Sequence, residues 1–289
     1  MTFYIVASGA YCENITDELP SLKKRVKESI GISVRRVGRF IQLALIGAGR
    51  ASLGLPQHTG VYLTSGPGDM AATVEALKTI YRQEQAPGPI SFINTVSNAA
   101  CFYVAQCLSL QGPSSFVSSR YFSMEAGLKV AQLELEAQRV DAALVGVVDV
   151  VVAPLDEHRQ RLGLNASSVL TEASHWLQLV MAPGERPVLA TLQLVRQFPD
   201  RQALSLWLDG QSFSVDNFFA AGQSLDEQES DEWLSELGLQ RFECCEDIGY
   251  FDGKVGRVLC EFIARGENSL LYLNADPHGR YMAIVLSKN

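Results

Sequence analysis

The side chains that could act as nucleophiles or metal ligands are few in this 289-residue chain: six cysteines, at 12, 101, 107, 244, 245 and 260, and four histidines, at 58, 158, 175 and 278. No two of them recur at the spacing of a zinc site or a disulfide framework, so reduced thiols and no bound metal are expected. Cys101 and Cys107 fall in an apolar helical pattern that suits packing. Cys244-Cys245 sits among Glu243, Glu246 and Asp247, and neighbouring carboxylates raise a thiol's pKa instead of activating it. A serine hydrolase would need Gly-x-Ser-x-Gly, which is absent. Gly47-Ala48-Gly49 lacks both a preceding strand and the third glycine of a dinucleotide loop, and Gly66-Pro67-Gly68 is not followed by the Gly-Lys-Ser/Thr of a phosphate loop. Nothing here calls for a cofactor.

The elements that would position any chemistry are clearest from Ser91 to Ala153. Ile90 to Asn94 and Phe116 to Ser119 read as short interior strands, and Val140 to Val152 is almost continuously apolar, as a strand covered on both faces should be. Ser97 is expected to cap a helix carrying Ala100, Val104 and Leu108, stopped at Gln111-Gly112-Pro113. Ser123 is expected to cap a second helix, on which Met124, Leu128, Ala131 and Leu135 form one apolar stripe. Arg120-Tyr121-Phe122 is then a strand-to-helix elbow. Such an elbow faces the positive end of a helix, where a thiolate nucleophile would be placed. This one has no cysteine.

The run NTVSNAACFYVAQCLSLQGPSSFVSS, followed by a helix and VDAALVGVVD, resembles the central part of the β-ketoacyl synthases, the condensing enzymes of fatty acid and polyketide synthesis. The resemblance implies an α/β, thiolase-like fold: two fused βαβ halves in an α-β-α-β-α stack, over 1–189 and a shortened 190–289. It places the family's acyl-accepting cysteine at Tyr121. Of the two family histidines that hold the thioester oxygen, one follows a strand and precedes glycine, which puts Asp209 there in LWLDGQSF. The other lies in a Gly-His step, which puts Tyr250 there in GYFDGKVG, and the family's lysine ahead of it falls on Cys245. A tyrosine hydroxyl, with a pKa of about 10 against about 8.5 for a thiol, is a poor acyl acceptor. A carboxylate at 209 opposes the charge that develops on the thioester oxygen. His278, in the turn Asn274 to Arg280, is a further pocket candidate.

Elsewhere, 37–53 reads as a helix with Phe40, Leu43, Ala44 and Leu45 inward and Gly47 and Gly49 permitting close approach. Val61 to Thr64 reads as a strand, and a helix from Met70 carries Val74, Leu77 and Ile80 on one face. His158 to Arg161 is expected to be exposed. Trp176 to Met181 and Pro187 to Val195 read as a hairpin, and 204–211 as a strand. Asp226 to Leu237 reads as an acidic helix, Lys254 to Ala264 as a second, and Leu270 to Asn274 and Tyr281 to Leu286 as closing strands.

The composition is 47% hydrophobic and 19% charged, that of a globular chain. No apolar span is long enough to cross a membrane, and a cytoplasmic location is expected. The net charge of −8 disfavours nucleic acid as a partner. Lys23, Lys24, Arg25 and Lys27 form a local basic segment that could meet an acidic acyl carrier protein. The resemblance without its catalytic groups points to a silent subunit, like the chain length factors that pair with an active ketosynthase, and is similar to the subunit of that kind in aryl polyene biosynthesis. A homodimer is the other assembly considered. The other class of function is a divergent acyl-thioester transferase, condensing enzyme or decarboxylase using Tyr250, His278 or another cysteine.

Overall fold

The computed structural model describes residues 2–16, 18–214, 216–244 and 248–288. In chain order the elements are β1 (Phe3–Ile15), α1 (Lys23–Ile30), α2 (Arg39–Arg50), β2 (Thr59–Ser65), α3 (Met70–Arg82), α4 (Pro89–Asn94), α5 (Asn98–Cys107), β3 (Ser114–Ser118), α6 (Ser123–Glu136) and β4 (Ala142–Asp149). Then follow α7 (Leu155–Arg161), β5 (Leu170–Val180), β6 (Ala190–Phe198), α8 (Arg201–Leu208), β7 (Phe218–Ala221), α9 (Glu227–Leu237), β8 (Gln240–Arg241), α10 (Lys254–Arg265), β9 (Ser269–Ala275) and β10 (Tyr281–Ser287).

The strands run in the order β3-β2-β4-β5-β1-β6-β10-β9-β7-β8. Read inward from its two ends, this is one chain order used twice, with β6 to β10 repeating the places of β1 to β5. Among the named strands, the two five-strand halves are hydrogen-bonded to each other where Phe3 to Ile5 pair with Leu192 to Ala190. Side-chain alternation divides the core into layers. Val61, Leu63, Leu144 and Trp176 face α2 and α5, whereas Tyr62, Val145, Leu177, Tyr272 and Ile284 pack with α6 and α10. On the far side, Leu271, Leu273, Ala283 and Val285 meet α8 and α9. The stack is therefore helix, sheet, helix, sheet, helix, with α6 and α10 in the middle.

Two buried contacts set this spacing. Gly146 lets the Trp176 indole lie against β4, since a Cβ there would come within 2.1 Å of the ring. The bidentate Arg39–Glu172 pair, at 2.7 and 2.6 Å, ties the start of α2 to β5, and Glu172 is fully buried.

Several expectations are corrected. Ile90 to Asn94 belongs to helix α4, started by Gly88 and Pro89, because proline at the first position suits a helix and its fixed φ favours one. The 204–211 segment is helix α8 and not a strand: Asp200 accepts from the Ala203 N–H at 2.8 Å, and Leu204 and Leu208 are buried one turn apart while Leu206 is exposed. The hairpin expected around Pro183-Gly184-Glu185 is opened by β1, which inserts between β5 and β6 and pairs antiparallel with both. Ser123 is the first helical residue of α6, its hydroxyl donating to the Ser119 carbonyl, and Phe122 stands at the cap. Ser97 precedes α5 without capping it, its Oγ accepting from the Asp69 N–H instead. Leu77 and Ile80, read as sharing one face of α3, are exposed.

Candidate functional site

Tyr121 stands at the elbow between β3 and α6, as the sequence predicts. The elbow is held from behind by Asn274 of β9, whose Nδ2 donates to the Tyr121 carbonyl at 3.2 Å and to Glu125 Oε1 at 3.3 Å. The same amide's Oδ1 accepts from the Ser224 N–H at 3.2 Å. Glu125, in the first turn of α6, is buried and also accepts from the Tyr272 hydroxyl at 3.4 Å. Burial pushes its carboxyl up to about 7. One asparagine thus joins the elbow, the turn after β7 and a buried acid.

In front of the elbow lies a cavity of about 450 Å³, lined by Gly66, Pro67 and Met70 from the turn into α3, by Ser118, Arg120 and Tyr121, by Arg161 and Leu162, by Gln223 and Ser224, and by Tyr250 and Asp252. The Tyr250 hydroxyl donates to Asp252 Oδ1 at 2.7 Å. Burial, and then the adjacent Asp252 carboxylate, raise the phenol's pKa well above its ordinary value. Behind Tyr250 a smaller space of about 60 Å³ reaches Asp149 and His158. Asp149 Oδ2 accepts from the Gly253 N–H at 2.7 Å, just ahead of α10, and burial with the neighbouring Asp252 charge pushes its carboxyl up.

Of the sites predicted from sequence, Tyr121 and Tyr250 converge on this cavity. Asp209 does not. It follows α8 as an exposed C-cap residue, because 204–211 is helical. The strand-then-glycine step expected at Asp209-Gly210 is found at the end of β7, Ala221-Gly222, and the turn after it brings Gln223 and Ser224 to the cavity. His278 is exposed in the β9–β10 turn, its N–H donating to Asp276 Oδ1 at 2.9 Å, and does not line the cavity. His158, expected to be exposed, is buried on α7 and contacts Arg161; burial first, then Arg161 and Arg159, push its imidazole down to about 4. Cys245 lies outside the described residues.

None of the described cysteines lines this cavity. Burial pushes Cys101 up to about 11 and Cys260 up to about 12, and raises Cys107. His175 is a core residue stacked on Phe251, with ring centroids 5.9 Å apart, and is pushed down to about 3 by burial. In the basic segment, Arg25 is engaged by Glu13 at 2.8 Å and Tyr11 at 3.0 Å, so it is not free to meet a carrier. Lys24 lies 3.8 Å from Glu28, while Lys23 and Lys27 are exposed. Among the described residues no group of three or more histidine, cysteine or acidic side chains is placed to hold a metal, and no helix is long and apolar enough to cross a membrane.

An elbow at the start of a central helix, set in a five-layer stack of two matching halves, defines a condensing-enzyme architecture. The β-ketoacyl synthase N-terminal domain matches residues 14–168, more than half of the chain, and the chain belongs to that family. No curated protein matches it. Among solved structures, the ishigamide ketosynthase/chain length factor is similar, with a TM-score of 0.77 at 18% identity over 99% of each chain. So is a type II polyketide synthase acyl-carrier protein in complex with its ketosynthase bound to the hexaketide, at 0.71 and 13% over 100% of this chain and 99% of that one. The PfaC keto synthase–chain length factor gives 0.73 at 13%, over 100% of this chain and 43% of that one. At these identities the likeness establishes the thiolase-like ketosynthase fold.

Proposed function

We propose that this chain is a catalytically silent β-ketoacyl synthase homologue that serves as a chain-length-factor-like partner of an active ketosynthase in fatty acid or polyketide synthesis, of the aryl polyene type. The observation that carries this reading is the chemistry of the cavity. Decarboxylative condensation needs a thiolate and donors that stabilise negative charge on the thioester oxygen. Here the elbow presents Tyr121, β7 ends in Ala221, and the hydroxyl of Tyr250 already donates its hydrogen bond to Asp252.

A partner's surface is supported by the other side of the same block. From Gln85 to Ser119 the chain carries no charged residue, yet Ile90, Phe92, Ile93, Val96 and Phe102 are exposed there, beside exposed Leu77, Ile80 and Tyr81. Helix α3 has no buried residue. The adjacent β3 ends the strand order, so one of its edges is unpaired among the described residues. Exposed apolar side chains, of which Leu77, Ile80 and Phe92 line one shallow hollow, beside an open strand edge suit a protein subunit better than a carrier or an anionic polymer, and the occupant proposed is the active ketosynthase subunit of the same fold. We further propose that 1–189 and 190–289 act as the two halves of one domain, that the protein works in the cytoplasm, and that acyl carrier protein docks at Lys23, Lys24 and Lys27. The test is incubation with an acyl-thioester followed by intact mass spectrometry: no covalent adduct is expected, and an adduct on any cysteine or tyrosine overturns the assignment.

A further inference from the structure

The cavity at the elbow retains a feature that lost catalysis does not explain. Arg120 and Arg161 both line it, and neither takes part in an ion pair among the described residues. Arg120 lies over the Tyr121 ring at 5.6 Å, and Arg161 contacts the His158 ring, which burial keeps neutral. Arg25, Arg39, Arg159 and Arg201, by contrast, are each neutralised by a carboxylate. The acidic group of the cavity wall is Asp252, and Asp149 lies behind it against the smaller space. Tyr250 donates to Asp252 Oδ1, and burial with the neighbouring Asp252 charge pushes the Asp149 carboxyl up. Two guanidiniums and one carboxylate therefore line a cavity of about 450 Å³, an excess of positive charge. Gln223 and Ser224 add neutral donors, and Pro67, Met70 and Leu162 supply an apolar wall.

We infer that this cavity binds a small organic anion, a carboxylate or a phosphate monoester, whose charged end lies between Arg120 and Arg161 and whose short apolar remainder lies against Pro67, Met70 and Leu162. Guanidinium groups recognise both kinds of oxyanion through paired N–H donors, and a mainly preformed cleft with a few convergent polar groups is the usual form of a small-molecule site. The site belongs to this chain alone and stands whether or not a ketosynthase partner is found.

The experiment is isothermal titration calorimetry of the full chain with hexanoate, hexyl phosphate and 1-hexanol. At least one of the two anions should saturate below about 10 mM, bind at least about tenfold more tightly than hexanol, and weaken about tenfold in each of Arg120→Gln and Arg161→Gln. The tighter anion names the head group. Both arginines are exposed and unpaired, so the urea midpoints of the variants should match the parent's. Failure of both anions to saturate, equal binding of hexanol, or unchanged binding in the double variant would each overturn the inference.

Discussion

Glu125 permits a quantitative test of how the elbow is supported. Its carboxyl is buried in α6 with Tyr272 and Asn274 as side-chain partners, at 3.4 and 3.3 Å, and burial raises its pKa from 4.5 to about 7. The folded state therefore binds a proton that the unfolded chain releases above about pH 4.5. The stability contributed by the protonated acid is complete below the unfolded value, falls as pH rises between the two values, and is lost above the folded one. At about 1.4 kcal/mol per tenfold, the change across that window is about 3 kcal/mol. Asp149, Asp69 and Glu172 are shifted in the same direction, so the wild-type curve alone does not isolate Glu125. The informative quantity is the difference between wild type and Glu125→Gln, measured by urea denaturation from about pH 4 to about pH 8.5. The variant, neutral at every pH, should gain about 3 kcal/mol relative to wild type between the ends of that range. Parallel curves would refute the reasoning and would mean that Glu125 ionises without cost, in contact with water or an unrecognised cation.

Other consequences follow from single contacts. Gly146→Ala sets a Cβ within 2.1 Å of the Trp176 ring and should destabilise the fold by about 3 kcal/mol, read from the urea midpoint. Arg39→Ala leaves Glu172 buried with only the Val151 N–H, 3.2 Å from Oε1, and should cost about 3–5 kcal/mol, with a smaller loss at low pH, where Glu172 is protonated. Tyr121→Cys restores a thiol at the elbow but no donors for the thioester oxygen, so purified variant should yield no condensation product from acyl- and malonyl-thioesters by mass spectrometry. Phe92→Glu with Phe102→Glu, both at positions more than half exposed, should change monomer stability by no more than about 0.5 kcal/mol and abolish association with the ketosynthase subunit in size-exclusion chromatography.

The central block was readable because its patterns are unambiguous. A strand covered on both faces, such as β4, must be apolar throughout, and α6 must show Met124, Leu128, Ala131 and Leu135 on one stripe; these fix the elbow and hence Tyr121. Short segments were not readable in the same way. Ile90 to Asn94 has strand-like residues but follows Pro89, the first residue of its helix, and Leu204, Leu206 and Leu208 alternate like a strand although Asp200 starts a helix. That second ambiguity moved the strand-then-glycine step from Ala221-Gly222 to Asp209-Gly210. Residues that meet only through the fold left no local signal: Arg161 reaches the cavity from α7 and Gln223 from the turn after β7, while Asp149 reaches the smaller space behind it from the end of β4. The glycine after the short apolar run Phe218 to Ala221 is the one cue that would have found the β7 turn.

The most direct test of the silent-subunit account is tagged co-purification from the native host, with the stoichiometry of the complex read by native mass spectrometry. The account predicts one copy of this chain with one copy of a ketosynthase that carries the elbow cysteine, and loss of that complex in the Phe92→Glu, Phe102→Glu variant. Recovery of this chain only as a homodimer, with turnover of an acyl-thioester, would contradict it.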